Sequence, residues 1–220
     1  MDIVVIEHLK KYFEENSGQV KALDGIDLAV EKGSMTAVIG ASGSGKTTLF
    51  NIIGGLYRPT GGKVIVEGKD LAELTEDQLT VYRRRKVGFV FQEYRLIPEL
   101  TIRENILFPL WLDDSRPDKE FLEEITSALG LTGQLEKYPH MLSGGGRQCA
   151  AIARALITKP SLILADEPTG NLDVKSGQNI AGLLRMAVER FRQTLILITH
   201  DLELAQLAGR VVRLRDGRIV

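Results

Sequence analysis

The sequence of 220 residues predicts an α/β fold with a mostly parallel sheet, an antiparallel β subdomain and an inserted α-helical subdomain. Three observations support this prediction. Short apolar segments typical of buried strands alternate along the chain with segments of helical spacing. These strands are almost continuously apolar, as expected for a parallel sheet that is covered by helices on both faces. Residues 92–158 lose the strand pattern and keep helical spacing, which indicates an insertion.

Composition narrows the functional classes. Hydrophobic residues make up 44% of the chain and charged residues 26%, as in ordinary globular proteins. The net charge of −1 lacks the basic excess of nucleic-acid binders, so we expect no nucleic-acid partner. The single cysteine, Cys149, cannot form an internal disulfide, which is typical of a reducing compartment. We expect no direct membrane span, because no apolar run approaches about 20 residues, so a membrane role would need a partner.

The first predicted strands of the chain precede a glycine-rich segment. Residues 3–6 and 26–30 are predicted strands, with a polar turn at residues 14–18 between them. Residues 35–39 are a third predicted strand, short, largely apolar and of buried type, and residues 49–53 begin a helical pattern. A strand and a helix start therefore flank the glycine-rich segment.

That segment, residues 40–48, has the G-x-x-x-x-G-K-T pattern of a phosphate-binding loop. Its glycines let backbone N–H groups surround an anion, and the helix N-terminus adds partial positive charge. In this pattern Lys46 contacts the β- and γ-phosphates, and the Thr47 hydroxyl contacts Mg²⁺. The sequence therefore predicts a P-loop NTPase core that binds a nucleoside triphosphate. The candidate contacts are Gly40, Ser42, Gly43, Ser44, Gly45, Lys46, Thr47 and Thr48.

The middle of the chain continues the sheet. Residues 63–68 are a predicted strand, and residues 71–82 a short helix that leads into a basic cluster at residues 83–86. We interpret the cluster as a solvated face, with anionic lipid or a partner as the alternative. The later elements are two helices of the insertion, a β-α-β unit and a hairpin with an Asp-Gly turn: residues 118–129, 147–157, 161–165, 176–191, 194–198 and 211–220.

Polar residues follow three of the apolar strands. Asp166 and Glu167 end one strand, where an open α/β sheet places its ligand crevice. We expect Asp166 to hold Mg²⁺ through water and Glu167 to polarise the attacking water. Gln92 follows a predicted strand at residues 87–91, and His200 closes the one at residues 194–198. Either residue alone would be unremarkable. If both residues converge on the same crevice, Gln92 is a candidate contact for Mg²⁺ and water. His200 is then a candidate hydrogen-bond donor to the γ-phosphate.

A second glycine-rich segment lies at residues 142–148. Ser143 precedes a helix and is a candidate N-cap. The three glycines that follow, Gly144 to Gly146, cost about 1 kcal/mol each in helical conformation relative to alanine. An anion held by exposed N–H groups would compensate for that cost. Because one nucleotide does not need two phosphate-binding turns, we expect a second nucleotide, brought by a second copy of the chain.

The order of these motifs resembles that of an ATP-binding subunit of an ABC transporter, over essentially the whole chain: residues 40–48, Gln92, residues 142–145, residues 162–167, residues 171–173 and His200. The resemblance implies an ATPase that binds ATP and Mg²⁺ in a single domain of residues 1–220. It also implies a nucleotide-sandwich dimer, in which Ser143 and Gly145 contact the γ-phosphate held by the partner's Lys46. Asp173 would lie in the loop that links the two active sites.

Finer features resemble the branch that handles lipoprotein release, macrolide export and peptide-antibiotic efflux, and also its cell-division members: residues 88–92, 104–110 and 165–173. This implies a separate subunit, peripheral to the cytoplasmic face of the inner membrane. It would drive integral membrane permease subunits, contacted by residues 92–110, in export or release of a lipophilic or peptide-like substrate. Two alternatives stay open. One is a regulator of a membrane partner that does not transport, and the other a soluble ABC ATPase acting on DNA or ribosomes, which the charge disfavours.

The resemblance divides the chain into a nucleotide-binding core with the β subdomain, residues 1–91 and 159–220, and a helical subdomain, residues 92–158. Two positions depart from the family pattern. Gly146 stands where the family usually has Gln or Glu, and Cys149 where it has Arg, which puts the hydrolysis rate in doubt. We interpret Cys149 as a small buried filler rather than a redox site.

The residue that stacks on adenine normally ends a Leu-x-Lys-x-Tyr pattern in this family. Phe13 stands at that position, and Tyr12 precedes it by one residue. Neighbouring strand residues point to opposite faces, so only one of the two can stack, and we favour Phe13.

Overall fold

The computed structural model describes residues 1–15 and 18–220, so the predicted polar turn at residues 14–18 lies partly outside the described residues. The strands and helices of the described residues are, in chain order, β1 (Asp2–Glu15), β2 (Gly18–Glu31), β3 (Met35–Ile39), α1 (Lys46–Ile53), β4 (Gly61–Val66), β5 (Lys69–Asp70), α2 (Glu76–Lys86), β6 (Val87–Phe91), α3 (Ile102–Trp111), α4 (Lys119–Ala128), α5 (Gly144–Leu156), β7 (Leu162–Asp166), α6 (Val174–Phe191), β8 (Thr194–Thr199), α7 (Leu202–Gln206), β9 (Arg210–Arg215) and β10 (Arg218–Ile219).

The chain divides into two units according to its internal contacts. The first unit contains Met1–Arg83 and Thr194–Val220, and the second contains Arg84–Gln193. One boundary therefore falls inside α2, and the other falls between α6 and β8. The division predicted from the resemblance, with an insertion at residues 92–158, stays a prediction.

The first unit contains both antiparallel and parallel strands. In the order β2, β1, β4 and β5 the strands pair antiparallel, whereas β9, β3 and β8 pair parallel, and β10 returns antiparallel to β9. Ala37 of β3 lies opposite both Leu197 and Val211. Every residue of β3 and β8 is buried, as expected of parallel strands covered on both faces.

The second unit is built around α5. This helix contacts β6, α3, α4 and α6. Alanines at positions 150, 151, 153 and 155 are buried along it, and such small side chains let neighbouring elements approach closely. β6 and β7 pair parallel, with Phe91 opposite Asp166, so both strands end at the same edge. The second unit therefore contains two parallel strands, β6 and β7, that end side by side, and the helix α5 packs against β6.

Two predicted strands are longer than the sequence pattern indicated. Residues 3–6 and 26–30 lie within β1 and β2, which each run for 14 residues. The outer parts pair with each other and carry mostly polar residues, with buried Leu9 and Leu23 among them, so a search for continuous apolar runs does not reveal them. A register shift between Ile6 and Leu9, with His8 in left-handed conformation, also interrupts the alternation.

Predicted helix bounds need correction at two places. The helix predicted at residues 71–82 is a 3₁₀ turn at Leu71–Glu73 followed by α2, which contains the whole basic cluster. The helix predicted at residues 147–157 begins earlier, because α5 includes the three glycines in its first turn. Sequence reasoning also missed α7, which has only five residues.

The basic cluster at residues 83–86 is only partly a solvated face. Arg84 and Arg85 both form ion pairs with Asp113, at 2.7 and 2.9 Å, and Arg84 also donates to the carbonyl of Leu112 at 2.6 Å. Asp113 is mostly buried, with 14% of its side chain exposed. Two of the four cations therefore anchor the chain that follows α3. Among the described residues, no helix is both long enough and apolar enough to cross a membrane.

Candidate functional site

The phosphate loop lies in the first unit between buried β3 and α1. Gly45 directly precedes α1 and has φ of 104°, in the left-handed region. A side chain at this position would collide with the carbonyl of Ala22 and with Leu23, so only glycine fits. The tight turn therefore depends on the strand that passes beside it.

The N-terminus of α1 is suited to an anion. No side chain caps it, and no acidic residue lies in its first turn. Its backbone N–H groups therefore lack the acceptors that most helices provide for themselves. Lys46 is buried, with 9% exposed, and its ammonium group donates to the carbonyls of Gly40 and Ala41 at 2.8 Å each. Thr47 is exposed beside it. Two of the predicted phosphate and metal contacts, Lys46 and Thr47, thus lie in the first turn of a helix whose N-terminus has no side-chain cap.

A cavity of about 510 Å³ opens beside this loop within the first unit. Its lining includes residues 39–44, His200, which directly follows β8, and residues 213–216 of the β9 region. Two arginines, Arg213 and Arg215, are among the lining residues, against one acidic residue, Asp216. The structure therefore places His200 and the phosphate loop around one cavity that carries a surplus of positive charge.

The two candidate aromatic residues of β1 have different partners. Phe13 is half-buried and packs edge-on against Tyr57, with ring centroids 5.9 Å apart, and the ammonium of Lys11 lies 4.9 Å from its centroid. Tyr12 instead donates its hydroxyl to a carboxylate oxygen of Asp24 at 2.5 Å. Neighbouring residues of a strand face opposite ways, which explains this separation. The side chain of phenylalanine has no polar atom, so no hydrogen bond holds the Phe13 ring.

Two predicted catalytic residues, Glu167 and Gln92, and the predicted metal ligand Asp166 lie at one edge of the second unit. Asp166 ends β7, and Glu167 follows it in left-handed conformation with φ of 45°. Because Phe91 pairs with Asp166, Gln92 leaves the neighbouring strand at the same edge. The Gln92 amide donates to the side chain of Asn171 at 3.2 Å, and Asn171 donates back to the Gln92 carbonyl at 3.1 Å. The loop after Glu167 is thereby fixed to Gln92.

The second glycine-rich segment forms the start of α5. Ser143 is its N-cap, and the Ser143 hydroxyl accepts from the N–H of Gly146 at 3.2 Å. Gly144 and Gly145 occupy the first turn, and their N–H groups face the end of the helix. Asp173 caps α6, where its carboxylate accepts from the N–H and the hydroxyl of Ser176, and these bonds hold its pKa below the usual range.

Sequence reasoning missed Arg154, which supports the segment after Gln92. Tyr94 and Arg95 both adopt left-handed backbone conformations, with φ of 60° and 47°. The Arg154 guanidinium donates to the carbonyls of both residues, at 2.7 and 2.5 Å. Burial lowers the pKa of Arg154 to about 10, so it remains charged at neutral pH. A single arginine among the buried alanines of α5 was the available signal.

The side chains that could hold Mg²⁺ are few. No group of three or more histidine, cysteine, aspartate or glutamate side chains in the described parts of the chain could bind a metal by itself. The candidates are the hydroxyl of Thr47, the amide of Gln92 and the carboxylate of Asp166. These oxygen donors suit a hard cation that takes most of its ligands from phosphates and water. Cys149 offers no alternative ligand, because its sulfur is a soft donor and Mg²⁺ prefers oxygen. Burial also raises the pKa of its thiol to about 11.

Comparison with known proteins gives consistent matches. The model of the family described as ABC transporter matches residues 23–170. The chain is 43% identical to the macrolide export ATP-binding/permease protein MacB of Rhodopirellula baltica, over 96% of this chain and 31% of that protein. It is 39% identical to the bacitracin export ATP-binding protein BceA of Halalkalibacterium halodurans, over 100% and 87%. It is 40% identical to the lipoprotein-releasing system ATP-binding protein LolD 1 of Rhodopseudomonas palustris, over 99% of this chain and 98% of that protein.

A solved structure shows the same fold. The dimeric post-hydrolysis structure of the ATP-binding cassette MJ0796, bound to ADP and Pi, matches with a TM-score of 0.88 and 37% identity. The match covers 98% of this chain and 96% of that one. The predicted fold class is therefore confirmed. The chain spans about a third of the length of the macrolide export relative and nearly all of the lipoprotein-release relative.

Proposed function

Because the chain belongs to the ABC transporter family, we propose that it binds and hydrolyses ATP. One observation carries this proposal most directly. The phosphate loop ends at an uncapped helix N-terminus, beside a buried lysine whose ammonium group lies at the loop carbonyls. Such an arrangement serves a polyanion better than any neutral ligand. The relative MJ0796, bound to ADP and Pi, supports a nucleotide as that polyanion.

The proposed roles follow from the chemistry of the side chains. Lys46 and the loop N–H groups hold the β- and γ-phosphates, and Thr47 binds the metal that accompanies them. Bound together with ATP, Mg²⁺ would supply positive charge that neutralises the phosphates. Asp166 and Gln92 position that metal and a water molecule. Glu167 accepts a hydrogen bond from the attacking water and polarises it.

His200 completes the proposed set by donating a hydrogen bond to the γ-phosphate. It lines the cavity beside the phosphate loop, which supports this role. Phe13 is our candidate for stacking on adenine, because its ring forms no hydrogen bond, whereas the Tyr12 hydroxyl is bound to Asp24.

We also propose that two copies of the chain close around two nucleotides. In this arrangement Ser143, Gly144 and Gly145 contact the γ-phosphate held by the other copy, and Asp173 lies in the loop between the two sites. The Ser143 cap accepts from the N–H of Gly146, and the N–H groups of Gly144 and Gly145 at the start of α5 support this use of the segment. The dimeric structure of MJ0796 supports it further.

The biological role is proposed from the relatives. We propose that the chain acts peripherally at the cytoplasmic face of the inner membrane and drives permease subunits, with residues 92–110 facing them. Relatives named for macrolide export, bacitracin export and lipoprotein release suggest a lipophilic or peptide-like substrate. The alternative is a regulator of a membrane partner without transport. Gly146 and Cys149, which depart from the family pattern, keep this alternative open.

The test uses Glu167→Gln, which keeps the shape of the side chain but removes the charge. We expect MgATP hydrolysis to fall by at least about 100-fold, the usual range for a general base, while ATP binding persists. The ATP-bound variant should elute as a dimer in size-exclusion chromatography. Glu123→Gln, an exposed residue of α4, is the matched control and should hydrolyse at the normal rate. Equal hydrolysis by Glu167→Gln and the unmodified protein would show that Glu167 is not catalytic.

A second measurement separates transport from regulation. The rate of ATP hydrolysis is measured in the complex with the co-purifying membrane protein. Substrate-stimulated turnover supports a transporter subunit. Absence of turnover despite tight MgATP binding would support the regulator instead.

A further inference from the structure

One backbone group links the β9–β10 hairpin to the phosphate loop. The N–H of Gly217, in the turn of the hairpin, donates to the carbonyl of Ser44 at 3.1 Å. The carbonyl of the same glycine accepts from the N–H of Asp24 in β2, at 2.9 Å. Gly217 therefore joins β2 to the residue directly before Gly45.

The bond to Ser44 has a consequence for the phosphate loop. In a trans peptide the C=O and the following N–H point in opposite directions. Fixing the Ser44 carbonyl toward Gly217 therefore also fixes the direction of the Gly45 N–H. That N–H belongs to the turn that leads into α1, where the anion is expected.

Two side chains hold the other end of this link. One carboxylate oxygen of Asp24 accepts from the Tyr12 hydroxyl at 2.5 Å, and the other accepts from Arg218 at 2.9 Å. Asp24 is largely sheltered, with 19% of its side chain exposed, whereas Arg218 is 67% exposed. These bonds lower the pKa of Asp24 to about 2, so its carboxylate is ionised at neutral pH and accepts strongly from both partners. The tyrosine and the aspartate thus form the sheltered part of the network.

We propose that Tyr12 and Asp24 are positioning residues of the phosphate loop. Asp24 binds Gly217 through its backbone N–H and the neighbouring Arg218 through its carboxylate, which Tyr12 holds in place. Gly217 in turn holds the Ser44 peptide in the orientation that turns the Gly45 N–H toward a phosphate. This assignment rests on the proposed nucleotide binding. It gives Tyr12 a role through its hydroxyl, on phosphate rather than on the base, and leaves Phe13 to contact adenine.

The experiment compares a ligand that has a base with one that lacks it. MgADP and magnesium tripolyphosphate are titrated by calorimetry into the unmodified protein, Tyr12→Phe and Asp24→Asn. Tyr12→Phe keeps the ring and loses only the hydroxyl, and Asp24→Asn keeps the shape of the side chain. We expect both variants to bind both ligands about three to ten times more weakly, the effect of one lost hydrogen bond. The double variant should lose little more, because both residues act through one network.

Controls separate positioning from general damage. Tyr138→Phe, a partly exposed tyrosine of the second unit, should bind both ligands normally. Thermal unfolding shows whether each variant is folded. In steady-state hydrolysis, KM for MgATP should rise by the same factor while kcat stays within about twofold, since the phosphate loop, and not the attacking water, is affected.

Several outcomes contradict the proposal. If Tyr12→Phe and Asp24→Asn bind tripolyphosphate like the unmodified protein, neither residue positions the loop. The same holds if only MgADP binding weakens, since that pattern would assign Tyr12 to the base. If the unmodified protein binds neither ligand, the proposed nucleotide binding itself is wrong, and the positioning role with it.

Discussion

At the scale of single residues, Cys149 gives a direct test of burial. It is half-buried in α5, and the surrounding protein raises the pKa of its thiol from 9.0 to about 11. At pH 8 the thiolate fraction is then about one hundredth of that in an unfolded chain. We therefore expect iodoacetamide to label Cys149 in the native protein at least about 100 times more slowly than in urea, since the thiolate is the nucleophile. Mass spectrometry of samples quenched at intervals measures both rates.

The labelling experiment has an internal control. Free cysteine in the same buffers shows whether urea itself changes the rate of the reagent. Native labelling as fast as that of the unfolded chain would mean that Cys149 is accessible and ionised. In that case its interpretation as a buried filler would be wrong.

The sequence was informative for residues whose role depends on close neighbours in the chain. The phosphate loop is recognisable because Gly45, Lys46 and Thr47 act together within one turn. Asp24 and Arg154 were not recognised, because their partners lie far away: Asp24 bonds Arg218, and Arg154 bonds the carbonyl of Tyr94. No local pattern encodes such pairs.

At the scale of elements, α6 contains a glycine that the helix does not need. Gly182 lies in the interior of α6, and a Cβ added there would meet nothing within 4 Å. Glycine in a helix interior is less stable than alanine, because its unfolded backbone has more freedom. We expect Gly182→Ala to raise the free energy of unfolding by about 0.5–1 kcal/mol and the Tm by about 2–4 °C. Urea and thermal unfolding followed by circular dichroism measure both.

The same substitution at another glycine is the matched control. Gly130 follows α4 with φ of 67°, and there too a Cβ would meet nothing within 4 Å. The left-handed conformation disfavours alanine, so Gly130→Ala should lower the stability by about 1 kcal/mol. Changes of the same sign at both positions would show that backbone conformation does not decide the effect.

Elements were predictable where burial creates a pattern. β3, β6 and β8 are apolar and were found close to their predicted bounds. The outer parts of β1 and β2 were not, because register shifts interrupt the alternation of their apolar and polar residues. The start of α5 was also misplaced, since glycines at residues 144–146 disfavour a helix and only the Ser143 cap and tertiary contacts keep them in one.

At the scale of the whole molecule, several carboxyl groups link stability to acid. Hydrogen bonds or ion pairs lower the pKa of one glutamate and four aspartates in the folded state: Asp24, Glu104, Asp113, Asp118 and Asp173. Because each folded pKa lies below the unfolded value, near 4, the unfolded chain binds more protons as the pH falls. The stabilisation from these groups is present above about pH 5 and is lost progressively toward pH 2, where Asp24 titrates.

Above pH 5, these groups should contribute a nearly constant amount to the urea midpoint. Between pH 5 and pH 2, we expect the midpoint to fall steadily as their contribution is lost. Asp24→Asn removes the group whose pKa is about 2, so the midpoint of this variant should fall less as the pH approaches 2. Urea titrations of both proteins at half-unit intervals measure the difference. Parallel curves for the two proteins down to pH 2 would exclude the Asp24 contribution.

The family and fold class were predictable because the motifs extend over the whole chain. Their order matches the resemblance, and the family match at residues 23–170 confirms it. The division into subdomains at residues 92–158 stays a prediction, as do the roles of the individual site residues. Sequence order places motifs along a chain, but it does not specify where contacts become dense enough to form separate units, here Met1–Arg83 with Thr194–Val220, and Arg84–Gln193.

The two hydrogen bonds of the Arg154 guanidinium group have one more consequence. Two consecutive non-glycine residues, Tyr94 and Arg95, keep an uncommon backbone shape while a single guanidinium group binds both of their carbonyl oxygens. A lysine there has a compact ammonium group instead of a rigid planar fork and cannot reproduce that paired geometry. Movement of the whole segment after Gln92 therefore breaks two hydrogen bonds to one guanidinium group and leaves a partly buried positive charge to find new acceptors.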